Sequence, residues 1–434
     1  MRNLWLILTA AAVLPSVLPW SLTAAEGDPR PLTLQDAIRL SAAVAPVDLS
    51  RLDAAIARAG YGAERAALRP NIDAVASLVR QRTYQQTDNV PVSLTPDNTV
   101  DARLRVGQAL LDLEAWNRTE AADRRLAAAE AGTALSLEAA AETAGLAYTD
   151  LASDEALVGV RREDLSLAQE LANLARKQVE AGASEGIAAT RADNRVAAAR
   201  TALTAAEGSL RASSIRLGRA LRVDPATTFV PSDKLGSEMG VSSAPPAVND
   251  AVSTAKRTRP ELRVSAETLA AVQADFQAAR GARLPKIDAF ADGGRIGPQV
   301  DDTETTWRIG LELRIPLMDR SRYDAEAARY RVDQQRILRD DLGQQISAEV
   351  RTAVVALETG IAGLESAQEE RRLAERELSE ARARFAAGAA GNLELVEAQR
   401  SLSTARERVV SAQTIWTRAR IGLARAVGVA TTLH

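Results

Sequence analysis

Four short stretches of the chain alternate apolar and polar residues, and nearly everything else reads as helix. Ile72, Ala74, Ala76 and Leu78 alternate with Asp73, Val75, Ser77 and Val79. Trp307–Ile315 alternates clearly, and Ala102–Ala109 and Ile287–Asp292 are similar. A period of two is that of a strand with one apolar face. The pattern predicts four strands of roughly 9–11 residues each, the length that crosses a bilayer when tilted. Two ordinary exposed hairpins are the plainer reading of the same signal.

The rest has no such alternation. Residues 113–180 and 320–386 contain no proline, and at 1.5 Å per residue each predicts a rod of about 100 Å. Thr33–Leu68, Gly186–Leu221, Asn249–Ala282 and 393–427 predict single helices of half that length. Between them, Val223–Val248 holds Pro225, Pro231, Pro245 and Pro246 and must be irregular.

These elements fall into two copies of one plan. Pro70, Ile72 and Asp73 recur as Pro285, Ile287 and Asp288; Leu110-Leu111-Asp112 recurs as Leu317-Met318-Asp319; Val179–Ala183 recurs as Phe385–Ala389. Repeats of this length mean a duplicated domain. The two copies differ in length only between 77–105 and 292–312, which reads as strand–loop–strand, with loops over Gln81–Val100 and near Gly293–Glu304. The division is therefore a leader over 1–25, a first repeat over 26–222, a linker over 223–248 and a second repeat over 249–434. The leader is read from Arg2, the apolar run Leu4–Leu18 and the small residues Thr23, Ala24 and Ala25, which together describe a cleaved secretory signal.

Composition narrows the chemistry. The 434 residues include no cysteine, and the one histidine is His434. Disulfides, thiol nucleophiles and histidine-based metal or catalytic sites are excluded. A net charge of −3 offers no basic field to nucleic acid. Aromatics are 3% against 46% hydrophobic residues, of which alanine is the largest part. Such a chain builds long helices easily and a thick core poorly. It leans away from an enzyme, and it points to no cofactor. Gly293-Gly294 is a strand end rather than a phosphate loop, and Asp301, Asp302 and Glu304 read as a solvated loop. Trp116 and Trp416 read as packing residues, and Tyr84, Phe290 and Trp307 as the few candidates for an interfacial girdle.

Four strands cannot close a barrel alone, since the smallest have about eight. Either the strands lie outside a membrane or several chains share one barrel. Here the order of the motifs is informative: Leu32–Leu40, the two Pro-x-Ile-Asp-Ala segments, Leu-Leu-Asp112, Pro-Leu-Met-Asp319 and the turns at 181–187 and 387–393. Together they resemble the TolC-type outer-membrane efflux proteins over nearly the whole mature chain.

The resemblance implies a mainly α fold with a small β part. A long α-helical coiled-coil barrel would continue from a homotrimer's twelve-stranded transmembrane β-barrel. It implies an outer-membrane location with a periplasmic helical extension, contact with outer-membrane lipid, and a passive exit duct for tripartite efflux or type I secretion. The partners implied are a periplasmic adaptor and an inner-membrane pump of RND or ABC type. Ala181, Gly182, Ala183, Ser184, Ala387, Gly388, Ala389 and Ala390 would be the adaptor-docking tips, against the plain reading of two hairpin turns. Glu394 and Glu397 match an acidic pore constriction, against a merely solvated helix face. Arg191, with Ala188, departs from a doubly acidic ring. Phe385 and Ala390 stand where the family has a tyrosine and an arginine. Pro70, Asp112, Pro285, Pro316 and Asp319 would mark the junctions between helix and barrel. The competing readings are a periplasmic adaptor, which carries one hairpin among β-rich domains, and a soluble periplasmic coiled-coil scaffold.

Overall fold

Prolines and caps cut the chain into its elements, starting with Thr33, whose hydroxyl accepts from the Asp36 amide to open the first helix. A computed structural model describes residues 29–82, 86–87, 90–91, 96–182, 185–236, 245–317, 320–387, 389 and 391–433. The leader over 1–25 therefore lies outside the described residues, as does Tyr84.

In chain order the elements are β1 (Arg30–Leu32), α1 (Leu34–Leu40), α2 (Ala45–Ala66) and β2 (Asn71–Arg82). The two-residue strands β3 (Gln86–Thr87) and β4 (Val90–Pro91) precede β5 (Pro96–Leu111), the long helix α3 (Leu113–Glu180) and α4 (Gly186–Ala220). After β6 (Phe229–Pro231) come α5 (Val248–Thr258), α6 (Pro260–Gly281), β7 (Lys286–Gln299) and β8 (Asp302–Arg314). The second long helix, α7 (Ser321–Ala386), and α8 (Asn392–Val427) complete the set. Helix α3 runs 68 residues and α7 runs 66 without a break.

Four sequence expectations change. The half-length helices over 33–68 and 249–282 are each broken in two. Val44 is extended ahead of α2, and Arg259 is extended between α5 and α6. Pro46 and Pro260 sit in the first turn of the new helices, where the missing N–H has no partner to lose, and Pro260 drives Arg259 out of the helical region. The strands are longer than expected, at 12, 16, 14 and 13 residues. The second loop is only the turn at Val300-Asp301, so Gly293 and Gly294 lie mid-strand. Within the proline-rich linker, β6 pairs in parallel with β1.

Four strands form one antiparallel sheet in the order β2-β5-β7-β8, leaving one edge of β2 and one of β8 without a partner among the described residues. Helix α3 packs along α4 and α6 and also meets α2 and α8, while α7 packs along α8 and α6. Instead of one core there are separate clusters along the rods. Leu32, Ile38, Tyr148, Leu151, Leu217, Phe229 and Ile421 form a belt where β1 and β6 cross the helices. Ile346, Val350, Val354, Leu357 and Trp416 form a second, and Leu171, Leu378, Phe385, Leu395 and Leu402 a third near the helical turns. Small clusters strung along thin walls are what an alanine-rich, aromatic-poor chain can fill.

Candidate functional site

The sheet has two chemically distinct faces. Because antiparallel partners point to the same side, the register sets Ile72, Val106, Ala291 and Ile309 in one row, and Ala74, Leu104, Gly293 and Trp307 in the next. Leu311, Leu313 and Ile315 extend this apolar face, and Trp307, Ile309 and Leu311 are each at least 70% exposed in the single chain. The opposite face carries Asp73, Asp101, Arg103, Arg105, Asp288, Asp292, Arg308 and Glu312. A ladder of charge crosses three strands there. Arg103 bridges Asp101 and Asp292, at 2.6 and 3.1 Å, and Arg308 meets Asp292 at 2.8 Å. Phe290 shares this face, flanked in register by Gly107 and Gly310. A Cβ on Gly310 would lie 2.8 Å from the Phe290 ring, so the glycine gives the ring its place.

Below the sheet the helices begin. Asp112 caps α3, accepting from the Ala115 amide at 2.9 Å. Lys286 at the start of β7 donates to both Asp112 and Glu114, at 3.1 and 2.7 Å. This ties the second copy's first strand to the first copy's long helix. Pro70 and Pro285 stand immediately before β2 and β7, and Pro316 two residues after β8. Asp319 lies outside the described residues. Trp116, in the first turn of α3, is exposed in the single chain rather than packed, whereas Trp416 is buried.

At mid-rod, two polar clusters hold the broken helices. Tyr148 donates to Asp233 at 3.0 Å, and the same carboxylate accepts from the Leu34 amide at 2.8 Å. Burial, reinforced by Asp233, pushes the Tyr148 hydroxyl well above the ordinary phenol range. Arg259, buried at the break between α5 and α6, grips Glu261 and Glu349, and Arg425 of α8 also reaches Glu261, at 2.8 Å. Burial alone would raise the Glu261 carboxyl. The hydrogen bonds from Arg259 and Arg425 outweigh it and hold the group down to about 2. Lower on the rods, the buried Asp164 of α3 accepts from Ser403 of α8 at 2.5 Å. The buried Glu138 accepts from the Ala430 amide at 2.7 Å and the Thr431 hydroxyl at 2.6 Å. None of these carboxylates stood out in the sequence, since each lies among many similar residues and has at least one partner over 80 positions away.

The far ends of the rods are two adjacent turns. Ala181 ends α3, and Gly182 takes a left-handed backbone at φ 70°, where glycine is favoured. Ala387 ends α7, and the Ala389 amide donates to the Arg384 carbonyl. Ala183, Ser184, Gly388 and Ala390 lie outside the described residues. Gln178 donates to the Phe385 carbonyl at 2.9 Å, which brings the two turns side by side. Phe385 itself is buried in the third cluster. Just beyond, Glu394 and Glu397 are exposed on α8 while Leu395 and Ala398 face inward. Arg384 of α7 meets Glu394 at 2.8 Å, and Arg400 approaches Glu397 at 3.9 Å. Arg191 is exposed on α4 and, among the described residues, pairs with neither glutamate.

Among the described residues no group of His, Cys, Asp or Glu is arranged to hold a metal. No described helix is long and apolar enough to cross a membrane.

Comparison with known proteins adds independent support. A profile of outer membrane efflux proteins matches residues 40–221 and 251–429. The chain is 24% identical over 394 residues to the probable efflux pump outer membrane protein TtgC of Pseudomonas putida, covering 86% of this chain and 77% of that protein. It is 27% identical over 341 residues to the nickel-cobalt-cadmium resistance protein NccC of Alcaligenes xylosoxydans xylosoxydans, covering 77% and 71%. Among solved structures, CusC superposes with a TM-score of 0.81 at 18% identity, covering 91% of each chain. The open state of the Neisseria gonorrhoeae MtrE channel gives 0.79 at 20% identity, covering 91% of this chain and 88% of that one. At such identities the structures speak to fold alone. The profile, which spans both halves of a chain with one lipid-suited sheet and two long hairpins, shows that it belongs to the outer membrane efflux protein family.

Proposed function

We propose that three copies of this outer-membrane efflux channel subunit close one barrel and one helical tube, forming a passive exit duct. The observation that carries this reading is the sheet: one apolar face, one charged face and two open edges. Lipid-exposed edges are not tolerated in hydrocarbon, so β2 and β8 must pair with other copies. Three sheets of four give twelve strands, within the range of closed barrels.

The helices also call for a neighbouring copy. Inside one protomer α6 lies between α3 and α7, whereas its equal-length counterpart α2 packs along α3 and leaves its other side open. That side exposes Leu49, Leu52 and Ile56, while the upper part of α7 exposes Tyr323, Tyr330 and Ile337 at seven-residue steps. Each stripe is the partner the other lacks. The antiparallel offset that sets Gly281 against Glu114 inside a protomer, carried to the second copy of the plan, puts Ile56 within one residue of Tyr330 of the next copy. The chain has no cysteine of its own, so the double variant Ile56→Cys, Tyr330→Cys is a clean test. Oxidation in isolated outer membranes gives a covalent trimer. Monomers only, with both thiols intact, refute the arrangement.

The turns at Ala181–Ser184 and Ala387–Ala390 are the docking grooves for a periplasmic adaptor, which links the duct to an inner-membrane pump of RND or ABC type. The relatives' names run from toluene and antibiotics to nickel, cobalt and cadmium, so the choice of cargo rests with the pump. Three-fold assembly makes Glu394 and Glu397 two rings of carboxylates that favour cations. The Arg384 pair already engages Glu394, which leaves Glu397 the stronger field, and Arg191 adds a cation from the first repeat. Replacing Glu397 with Ala raises single-channel conductance in planar bilayers and lowers cation preference more than Glu394→Ala does. Unchanged conductance and selectivity in both tell against the constriction.

A further inference from the structure

Reading the sheet as a membrane barrel leaves two outward-facing cations to account for. Along β2 the apolar face runs Ile72, Ala74, Ala76, Leu78 and then meets Arg80; along β7 it runs Ile287, Ala289, Ala291, Gly293 and then meets Arg295. Each arginine is the first polar outward position beyond the apolar run of its strand. Each stands eight residues after the isoleucine that opens the run, and ten after Pro70 or Pro285, so both copies of the plan place a guanidinium at the same point. Both lie at the end of the sheet away from the helices, the side of the outer leaflet.

The side-chain geometry agrees. Arg295 is exposed, and its Nη2 donates to the Thr303 carbonyl at 2.9 Å. Thr303 lies one outward position beyond Thr305, the register partner of Arg295, so the side chain leans away from the apolar belt and towards the rim. Arg80 is exposed and forms no ion pair among the described residues. Charge is also segregated at this level. The outward positions towards the rim include Arg80 and Asn98 in one row and, two outward rows nearer the helices, Arg295 and Thr305, while acidic Asp101, Asp302 and Glu304 face inward.

We infer that Arg80 and Arg295 grip phosphate groups carried by lipids of the outer leaflet, six guanidinia around each trimer. An arginine at the edge of hydrocarbon snorkels towards anionic oxygen, and a guanidinium binds phosphate through two donors at once. The belt fixes the height of the site, and the rim's outward basic, inward acidic split fixes its sign. The ligand is therefore a phosphorylated lipid held against the barrel wall, not cargo inside it.

The test uses the purified trimer in nanodiscs of phosphatidylcholine doped with bis-phosphorylated lipid A, with bound lipid counted by native mass spectrometry. A single arginine near an anionic lipid surface is worth a factor of about five, and both together about twenty-five. Arg80→Gln and Arg295→Gln should each lower lipid A binding about fivefold, the double variant multiplicatively, and Arg→Lys should restore part of it. Dephosphorylated lipid A should bind no better to the native protein than lipid A does to the double variant. Arg105→Gln, on the inner face, should change nothing. Undiminished binding by the double variant, indifference to the phosphates, or displacement of lipid A by inorganic phosphate overturns the inference. Failure of the native chain to enter nanodiscs at all strikes instead at the barrel reading beneath it.

Discussion

Glu261 offers the sharpest quantitative check on how the broken helices are held. Its carboxylate receives Arg259 at 2.8 Å and Arg425 at 2.8 Å, joining the start of α6 to α8, while Arg259 also engages Glu349 of α7. The Glu261→Gln variant keeps the shape and removes the charge. The carboxyl sits at about 2 instead of its ordinary 4.5, which converts to roughly 3 kcal/mol of stability at neutral pH. Counting two charge-assisted hydrogen bonds at about 1.5 kcal/mol each gives a similar figure. The sign follows from the lowered folded value. The contribution is complete above about pH 4.5 and is lost as pH falls towards 2. The assay is guanidinium unfolding in detergent, followed by the fluorescence of Trp416, which packs in the neighbouring cluster. The gap between native protein and variant should be about 3 kcal/mol at pH 7, about 2 at pH 3.5 and under about 1 at pH 2.5. A gap that does not change with pH would refute the ion-pair account.

Three further outcomes are expected. A Cβ at Gly281 would lie 2.9 Å from backbone atoms of Leu113 and Glu114, so Gly281→Val should destabilise the helix–barrel junction by at least about 2 kcal/mol, read as lost trimer on unheated gels. Leu357 is fully buried, and Leu357→Ala should cost about 2–5 kcal/mol in the same guanidinium assay without altering conductance. Leu311→Arg, on the apolar face, should weaken folding into vesicles by about 2–4 kcal/mol, whereas Glu312→Arg one position along should have little effect because it faces the other way.

Much of this molecule was readable because its signals are periodic. The strand alternation at 72–79 and 307–315, the proline-free runs and the duplicated Pro-x-Ile-Asp all survive as β2, β8, α3, α7 and the paired entries into the sheet. What escaped is non-local or short. The β1–β6 pair spans only three residues a side, too few for a period to register. Val44 and Arg259 break helices through a proline that also fits the first turn of the next one, so Pro46 and Pro260 looked compatible with continuous helices. The strands outran their alternation because Gly293, Gly294 and Gly297 supply no side chain to alternate, although Gly294 and Gly297 are forced by backbone within 3 Å of any added Cβ. At the tips, the sequence placed the turn at Gly182, but not the Gln178–Phe385 link that sets the two turns together. The Arg384–Glu394 pair, which sets apart two glutamates that look alike in sequence, needed the structure as well.

The open edges of the four-stranded sheet also govern how fast the protein can appear in a membrane. A lone protomer that entered hydrocarbon would strand a row of amides and carbonyls on β2 and another on β8, each group costing several kcal/mol. Insertion therefore waits on encounter. The rate rises as a steep power of protomer concentration, and halving the supply cuts the yield by far more than half. A wall that takes three chains to close turns expression level into a threshold.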